Sequence, residues 1–241
     1  MKNIDFRSCL RYLQHSVKVL VFSKPFTPGL AKTRLRAPAT SLTDSVVDEL
    51  HFALCRDLFS QILASPQISS ITCAWMNNLP SISELGLLGL SIDHPSIRHV
   101  VQRGSSFGER LDIFLQEQSN ESHEPFLLVG TDCPSLSSDL IHQAALAVRK
   151  GSLVIGPSPA GGFYLLGVPR QETLPYLAGC FDTPNEVQAV RNLFPSLSLV
   201  LLPLLSDIDV EEDLLTFVAW VRLAREHNAS LSEGTPFFIP E

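Results

Sequence analysis

A lone aspartate follows an apolar run in the segment FLLVGTDCPSL, residues 126–136. The run from Phe126 to Val129 predicts a strand, and Asp132 comes just after the Gly130-Thr131 break. A carboxylate held at the end of a rigid strand can hold a metal ion or orient a substrate. We therefore expect Asp132 to face a ligand.

Helix capping is the alternative explanation of Asp132. The helix predicted to start near residue 138 has closer capping candidates in Ser135, Ser137 and Ser138. Pro134 also disfavours helical geometry in the residue before it. A cap at Asp132 would be early and redundant, which favours the ligand-facing role.

A second acidic cluster, DIDVEED at residues 207–213, also follows an apolar run and opens a predicted helix. Acidic residues in a first helical turn interact favourably with the helix dipole, which explains Glu211, Glu212 and Asp213. Asp209 is predicted to be the N-cap of this helix, and it could also face the same cleft as Asp132.

Cations that could complement these acids lie in SKPFTPGLAKTRLR, residues 23–36, namely Lys24, Lys32, Arg34 and Arg36. Prolines stiffen this segment, and Gly29 allows close approach of the backbone to a ligand. The segment is not a Walker P-loop, because Ala31 stands where that motif needs a glycine. Taken alone, it is typical of a solvated basic loop.

The stretch GSSFG at residues 104–108 matches the GxSxG nucleophile motif of hydrolases. Its triad would need Asp182 and His227 as partners of Ser106. His227 ends a predicted helix rather than following a strand, and no HGG-type oxyanion segment precedes the motif. A serine hydrolase is thus a minor alternative.

The composition of the 241 residues favours a globular protein with a substantial core, since 45% are hydrophobic and 18% charged. The formal net charge of −7 argues against a nucleic-acid partner. Scattered cysteines without a CxxC motif, and the lack of an apolar signal or membrane segment, predict a cytoplasmic protein with reduced thiols. Dispersed histidines argue against a histidine-based zinc site.

Apolar runs alternate with helical periodicity along the chain, which predicts an α/β fold with a mainly parallel sheet. Strands are predicted at 17–22, 68–75, 97–101, 126–129, 153–155, 163–168 and 197–202, and helices at 42–64, 109–118, 138–150, 184–194 and 211–226. Residues 76–96 are predicted to be a loop with a short helix. One domain is expected over 17–226, with an extension at 1–16 and a tail at 227–241. Ligands of such sheets bind beyond the carboxyl ends of the strands.

Five stretches together resemble one family in their order along the chain. They are VFSKPFTPGLAKTRL, QRGSSFGERL, LLVGTDCPSL, GPSPAGGFYLLG and LLSDIDVEEDL, and they span about residues 17–215. The chain resembles the DUF2064 proteins, which are glycosyltransferase-like members of the GT-A nucleotide-diphospho-sugar transferase superfamily. Some are labelled arsenosugar-biosynthesis glycosyltransferases, and they also resemble nucleotidyltransferases of molybdenum-cofactor and deazaflavin biosynthesis.

The resemblance implies a three-layer α/β/α sandwich and a metal-dependent glycosyltransferase that uses a nucleotide-diphospho-sugar donor and a small-molecule acceptor. Asp132 matches the metal-binding aspartate of the superfamily, and Asp209 matches the second metal-binding carboxylate of related nucleotidyltransferases. The expected cofactor is Mg²⁺ or Mn²⁺, which prefers oxygen ligands. Lys32 and Arg34 match the phosphate-binding loop, so they join Asp132 as expected catalytic residues.

The resemblance also implies substrate-binding positions. Lys24 and Gly29 lie in the phosphate-binding loop, and Glu109-Arg110 match the GER stretch of the family, whose role is undefined. Gly161-Gly162 match a glycine pair that lets donor or acceptor lie close to the backbone.

Two residues depart from the family pattern. Ala160 stands where family members commonly carry an acid before the glycine pair, and Ser106 stands where they commonly carry an aspartate. The departures affect acceptor binding or general-base catalysis and leave the nucleotide and metal positions intact. The alternatives are a nucleotidyltransferase that joins an NTP to a small phosphorylated substrate, and a non-catalytic nucleotide-binding relative. The sequence does not define the base, sugar, acceptor, stereochemical outcome or oligomeric state.

Overall fold

A seven-stranded sheet organises the computed structural model, which describes residues 17–36, 40–170, 174–181 and 183–226. The strands are β1 Val17–Ser23, β2 Ile68–Trp75, β3 Ile97–Val101, β4 Phe126–Val129, β5 Leu153–Pro157, β6 Phe163–Val168 and β7 Leu199–Leu201. Their order across the sheet is β3-β2-β1-β4-β6-β5-β7.

Within the described residues, six α-helices connect or flank these strands. They are α1 Asp44–Leu63, α2 Ile82–Leu87, α3 Phe107–Glu121, α4 Ser138–Arg149, α5 Glu186–Leu193 and α6 Glu211–Glu226. Short 3₁₀ turns occur at Thr33–Arg36, Pro159–Gly161 and Ala178–Cys180.

All strands of the sheet are parallel except β6, which pairs antiparallel with both β4 and β5. The link between β5 and β6 is only residues 158–162, which is too short for the crossover that parallel neighbours need. The prediction of a mainly parallel sheet is confirmed. The carboxyl ends of β1, β4, β5 and β7 meet at one edge, where β6 begins.

Helices cover both faces of the sheet because successive strand side chains point to opposite sides. Val19 and Val21 of β1 face the core cluster formed with α1 and α4, whereas Leu20 faces the cluster formed with α3 and α5. The expected three-layer α/β/α architecture is therefore confirmed.

A third, smaller cluster lies beneath α6. Its buried residues come from the 3₁₀ turn after β1, from α1, from the loop after β7 and from α6, and they are Leu35, Val47, Leu50, Leu54, Ile208 and Leu214. Burial of these side chains fixes the loop after β1 against the loop after β7.

The predicted element boundaries agree with the structure for β2, β3, β4 and β6, and α2 is the short helix expected within residues 76–96. The largest differences are at β7, which covers only Leu199–Leu201, and at α3, which begins at Phe107 because Ser106 caps it. The predicted extension at 1–16 and tail at 227–241 lie outside the described residues.

No helix in the described part of the chain is both long and apolar enough to cross a bilayer. The four cysteines that the structure describes, Cys55, Cys73, Cys133 and Cys180, are free and buried. Cys9 lies outside the described residues.

Asp57 on α1 is a buried carboxylate that makes the stability of the fold depend on pH. Its Oδ1 atom has no hydrogen-bond partner within the described residues, and Arg56 Nε lies 3.9 Å away. Burial raises the pKa of Asp57 from 3.8 to about 6, although the nearby Arg56 charge lowers it. The folded state therefore binds this proton more tightly than the unfolded chain does.

We expect the free energy of unfolding to fall, through Asp57, as pH rises from about 4 to about 7. Each pKa unit between the two states corresponds to about 1.4 kcal/mol, so the loss is roughly 2–3 kcal/mol. Asp57→Asn should remove this dependence and stabilise the protein above pH 7. Urea unfolding at several pH values, with Asp93→Asn in an exposed loop as control, measures the difference. Equal pH profiles for Asp57→Asn and the parent chain would contradict the prediction.

Candidate active site

A cleft of about 570 Å³ opens at the edge where the carboxyl ends of the parallel strands meet. Its walls come from the loops after β1, β4 and β7, the 3₁₀ turn after β5 and the N-terminal turn of α3. The lining residues used below are Lys24, Lys32, Arg34, His51, Gln102, Phe107, Arg110, Asp132, Gly162, Glu186, Asp207 and Asp209. Asp132, Asp209, Lys32 and Arg34, which the sequence predicted as site residues, thus share one hollow.

Lys32 is the central cation of the cleft. Its Nζ atom lies 2.5 Å from Asp132 Oδ1 and donates to the carbonyl oxygen of Ile208 at 2.5 Å. Only 4% of the Lys32 side chain is exposed, whereas 44% of the Asp132 side chain remains open to the cleft. Lys32 also has a positive φ of 52°, which turns the chain so that this side chain enters the cleft.

A backbone hydrogen bond joins two of the loops independently of Lys32. Ile208 N donates to the carbonyl oxygen of Asp132 at 2.9 Å, and Ile208 itself is buried in the cluster beneath α6. The loops after β1, β4 and β7 are therefore held together at one point. This connection explains how acids 77 positions apart in the sequence reach the same cleft.

Arg34 and Asp209 form a second pair at the outer side of the cleft. Arg34 Nη1 lies 3.0 Å from Asp209 Oδ2, and 72% of the Arg34 side chain is exposed. The prediction that Asp209 is the N-cap of α6 is wrong. The helix begins at Glu211, and Asp213 Oδ2 instead accepts from the backbone N–H groups of Asp209 and Val210. Asp209 is thereby left to face the cleft.

Other polar groups of the loop after β1 brace its shape. Lys24 Nζ donates to the carbonyl oxygen of Leu30, and Arg36 binds Asp44, Asp48 and the carbonyl oxygen of Ala31. Gly29 has φ +79° and donates its N–H to Asp48. Lys24 lines the cleft, but Gly29 does not. The geometry therefore gives no support to substrate binding by Gly29, which instead helps to shape the loop.

Arg110 and Gly162 line the cleft, whereas Glu109 and Gly161 do not. Arg110 Nε donates to Gln102 Oε1 at 3.2 Å, and Gln102 is itself fixed by bonds to the backbone oxygens of Ser23 and Ala74. Glu109 accepts from the backbone and side chain of Ser105, two contacts that lower the pKa of its carboxyl. Substrate binding by Glu109 and Gly161 remains a prediction without support from this geometry.

Ser106 of the GxSxG stretch caps α3 through its Oγ, which accepts from Glu109 N at 3.1 Å. Its backbone is in ordinary extended geometry, unlike the strained elbow of a hydrolase nucleophile. The proposed triad partners Asp182 and His227 lie outside the described residues. The described geometry around Ser106 supports capping.

Asp207 is a third carboxylate in the cleft, and it was not predicted from the sequence as a site residue. Burial raises the pKa of Asp207, and the negative charges of Asp209, Asp132 and Asp213 raise it further. The acids of the loops after β4 and β7 share one cleft, since Asp132, Asp207 and Asp209 all line it. The signal was present in the sequence, since Asp207 and Asp209 alternate around the buried Ile208.

His51 of α1 also lines the cleft, and the sequence had not predicted it as a site residue. Its Nε2–H donates to the carbonyl oxygen of Lys24 at 3.0 Å. Burial lowers the pKa of His51, so the ring is neutral near pH 7. It supports the loop after β1 without adding charge to the cleft.

The donor set fits a hard divalent ion that keeps part of its water shell. Asp132, Asp207 and Asp209 supply carboxylate oxygens in one cleft, and such ions take further ligands from waters and phosphates. Within the described ranges, no three His, Cys, Asp or Glu side chains are arranged to enclose an ion by themselves. Cys55 and Cys133 are buried and are not among the described residues that line this cleft.

Comparison with protein families finds a match of residues 89–181 to the DUF2064 model, described as "Uncharacterized protein conserved in bacteria". The matched stretch includes Asp132 and ends at Phe181, directly after the 3₁₀ turn Ala178–Cys180. The resemblance to this family is thereby confirmed over residues 89–181, which contain three of the five stretches, QRGSSFGERL, LLVGTDCPSL and GPSPAGGFYLLG. No curated protein matches the chain.

Comparison with solved structures confirms the fold. The "putative nucleotide-diphospho-sugar transferase" from Desulfovibrio desulfuricans G20 is 20% identical, with a TM-score of 0.71 over 91% of this chain and 92% of the other. A cytidylyltransferase from Leptospira borgpetersenii is 11% identical, with a TM-score of 0.52 over 93% and 100% of the two chains. The 4-diphosphocytidyl-2C-methyl-D-erythritol synthase of Anaerococcus prevotii is 12% identical, with a TM-score of 0.54 over 88% and 99%.

Proposed function

Since the chain carries the DUF2064 match on a nucleotide-diphospho-sugar transferase fold, we propose that it is a metal-dependent glycosyltransferase. Its donor would be a nucleotide-diphospho-sugar and its acceptor a small molecule. One observation carries the proposal. The buried Lys32 joins Asp132 to the loop that bears Asp207 and Asp209, at the strand ends where this fold class binds ligands.

The residues of the cleft match the charge that glycosyl transfer develops. When the bond between the anomeric carbon and the β-phosphate oxygen breaks, negative charge gathers on the departing diphosphate. Lys32 and Arg34 provide donors to those oxygens, and donors positioned in advance stabilise such charge strongly. Because Lys32 is almost fully buried, its charge acts in a medium less polarisable than water.

Asp132 and Asp209, with Asp207 beside them, would hold the divalent ion. When bound, the ion neutralises charge on the diphosphate and orients the leaving group. The Lys32–Asp132 contact holds the Asp132 carboxylate in place before substrate arrives. The exposed fraction of Asp132 leaves a carboxylate surface directed to the cleft.

A nucleotidyltransferase is the second candidate, because its substrates also place a polyphosphate and a divalent ion in such a cleft. The cytidylyltransferase with a similar fold favours it. The two candidates differ in product. A nucleotidyltransferase releases pyrophosphate from NTP and Mg²⁺, whereas a glycosyltransferase releases a nucleoside diphosphate from its donor.

A ligand panel tests the proposal. UDP-, GDP-, CDP- and ADP-sugars, with and without Mn²⁺, are screened by thermal shift, since a ligand that binds only the folded state raises the melting temperature. We expect one nucleotide class to stabilise the protein only with the metal, and to be hydrolysed slowly to the nucleoside diphosphate. Release of pyrophosphate from NTPs would favour the second candidate. Binding without any turnover would indicate a non-catalytic nucleotide-binding protein.

A further inference from the structure

A second, smaller hollow of about 200 Å³ adjoins the cleft. Seven residues line both spaces, so the two are continuous; they are Phe22, Phe107, Thr131, Asp132, Phe163, Glu186 and Asp207. We call the smaller hollow the aromatic pocket. It extends from Asp132 between the sheet and α3.

Rings and apolar side chains form the walls of the aromatic pocket. Phe107 packs edge-on against Phe22 and Phe181, with ring centroids 5.7 and 5.4 Å apart, and Phe163 packs against Phe181 at 6.1 Å. Leu111, Leu128 and Val129 add aliphatic surface. An apolar cavity of about 150 Å³ can hold a benzene molecule, so this volume suits one substituted six-membered ring.

The mouth of the aromatic pocket is acidic. Asp132, Asp207 and Glu186 lie there, and the described lining residues include no Lys, Arg or His. Glu186 opens α5 and faces Gly162, since its Oε2 atom lies 3.9 Å from where a Cβ on that glycine would stand. Lys32 neutralises Asp132 from the cleft side, but its position is outside the lining of the aromatic pocket.

We propose that the aromatic pocket binds the acceptor, and that this acceptor is a small molecule with one apolar ring, at least one hydroxyl group and no phosphate. The inference rests on the proposed glycosyltransferase function. The ring would pack among the phenylalanines, and the hydroxyl would donate to Glu186 at the mouth, beside the diphosphate end of the cleft.

The charge at the mouth selects against anionic acceptors. A phosphate placed there would lie near the Glu186 carboxylate, and the described residues that line the aromatic pocket include no Lys, Arg or His. Like charges at such short range repel even in a partly hydrated site. The nucleobase of the donor does not suit this pocket either. A ribose separates the base from its diphosphate, whereas the aromatic pocket begins at Asp132 itself.

Phenol and phenyl phosphate are suitable probes, because they share the ring and differ in the anionic group. We expect saturation-transfer NMR titrations of the full chain to show phenol binding at least tenfold more tightly than phenyl phosphate. Uridine should not displace phenol. Equal binding of the two probes, displacement by uridine, or no phenol binding would overturn the proposal.

Two variants locate the bound ring. Phe107 is 48% exposed, so Phe107→Ala should fold, and we expect it to weaken phenol binding about tenfold. Glu186→Gln should decrease the ratio of the phenyl phosphate and phenol dissociation constants at least threefold. Tyr176→Ala and Glu212→Gln, at exposed positions outside both hollows, are the matched controls and should change neither value. Unchanged binding in both site variants would place phenol elsewhere and overturn the proposal.

These measurements separate the acceptor proposal from the proposed function. Phenol binding is measured without nucleotide, while nucleotide binding is measured without phenol. Selective phenol binding with no metal-dependent nucleotide binding would contradict the glycosyltransferase function. Nucleotide binding without selective phenol binding would overturn only the acceptor class.

Discussion

Asp132→Asn is expected to abolish metal-dependent nucleotide binding while leaving the fold intact. The amide keeps the size of the side chain but removes the negative charge that faces both Lys32 and the proposed ion. Loss of one such group typically costs about 10²–10³ in rate. The side chain does not cap α4, which Ser137 caps, and the Asp132 carbonyl still accepts from Ile208 N. Calorimetric titration with Mn²⁺ and the nucleotide sugar identified by the thermal-shift panel measures the effect.

The control for this variant is Asp93→Asn, which changes the same chemical group in an exposed loop. It should retain the affinity of the parent chain. Nucleotide-sugar binding by Asp132→Asn that equals the parent value, at an unchanged melting temperature, would refute the metal-holding role of Asp132.

Lys32→Met is expected to produce a second large effect, with opposite consequences for nucleotide and metal. The variant keeps a long apolar stem but loses the cation among the diphosphate oxygens, so we expect turnover to fall by about 10²–10³. Binding of Mn²⁺ alone should strengthen, because Lys32 no longer occupies Asp132 Oδ1 or repels the ion. Steady-state kinetics and Mn²⁺ titration without nucleotide measure the two changes.

Lys150→Met serves as the matched control, since Lys150 is exposed at the end of α4. It should leave both quantities unchanged. If Lys32→Met weakened Mn²⁺ and nucleotide binding together, Lys32 would act by holding the loops in place rather than by binding phosphate.

The sequence predicted the layers of this fold well because buried parallel strands are continuous apolar runs. The runs at 68–75, 97–101 and 126–129 have the bounds that the structure shows. The direction of β6 was harder to predict, because its apolar residues are the same whichever way it pairs. Only the link after β5 indicates the antiparallel pairing, because its five residues are too few for the crossover connection that parallel strands need.

Site residues were predictable where their local sequence set their position. Asp132 follows a strand end directly, and Lys32 lies in a basic loop after another. His51 and Glu186 gave no such signal, because each lies on a helix whose orientation depends on packing against the sheet. Asp209 was predicted to be a helix cap because acids commonly start helices. In the structure, Asp213 accepts from the backbone N–H groups that precede α6, and the Asp209 side chain binds Arg34 instead.

Electron paramagnetic resonance of Mn²⁺ tests the central claim most directly, since it reports the free and bound ion separately. The protein is titrated with Mn²⁺ alone and together with UDP, GDP, CDP or ADP. The account predicts that one ion and one diphosphate bind together to the acids at 132, 207 and 209 and the cation at 32. One of the four nucleotides should then increase the affinity for Mn²⁺ at least tenfold. In Asp132→Asn, that nucleotide should no longer increase the affinity for Mn²⁺. Nucleotide binding that is equally tight in EDTA, or Mn²⁺ binding that none of the four nucleotides changes, would contradict it.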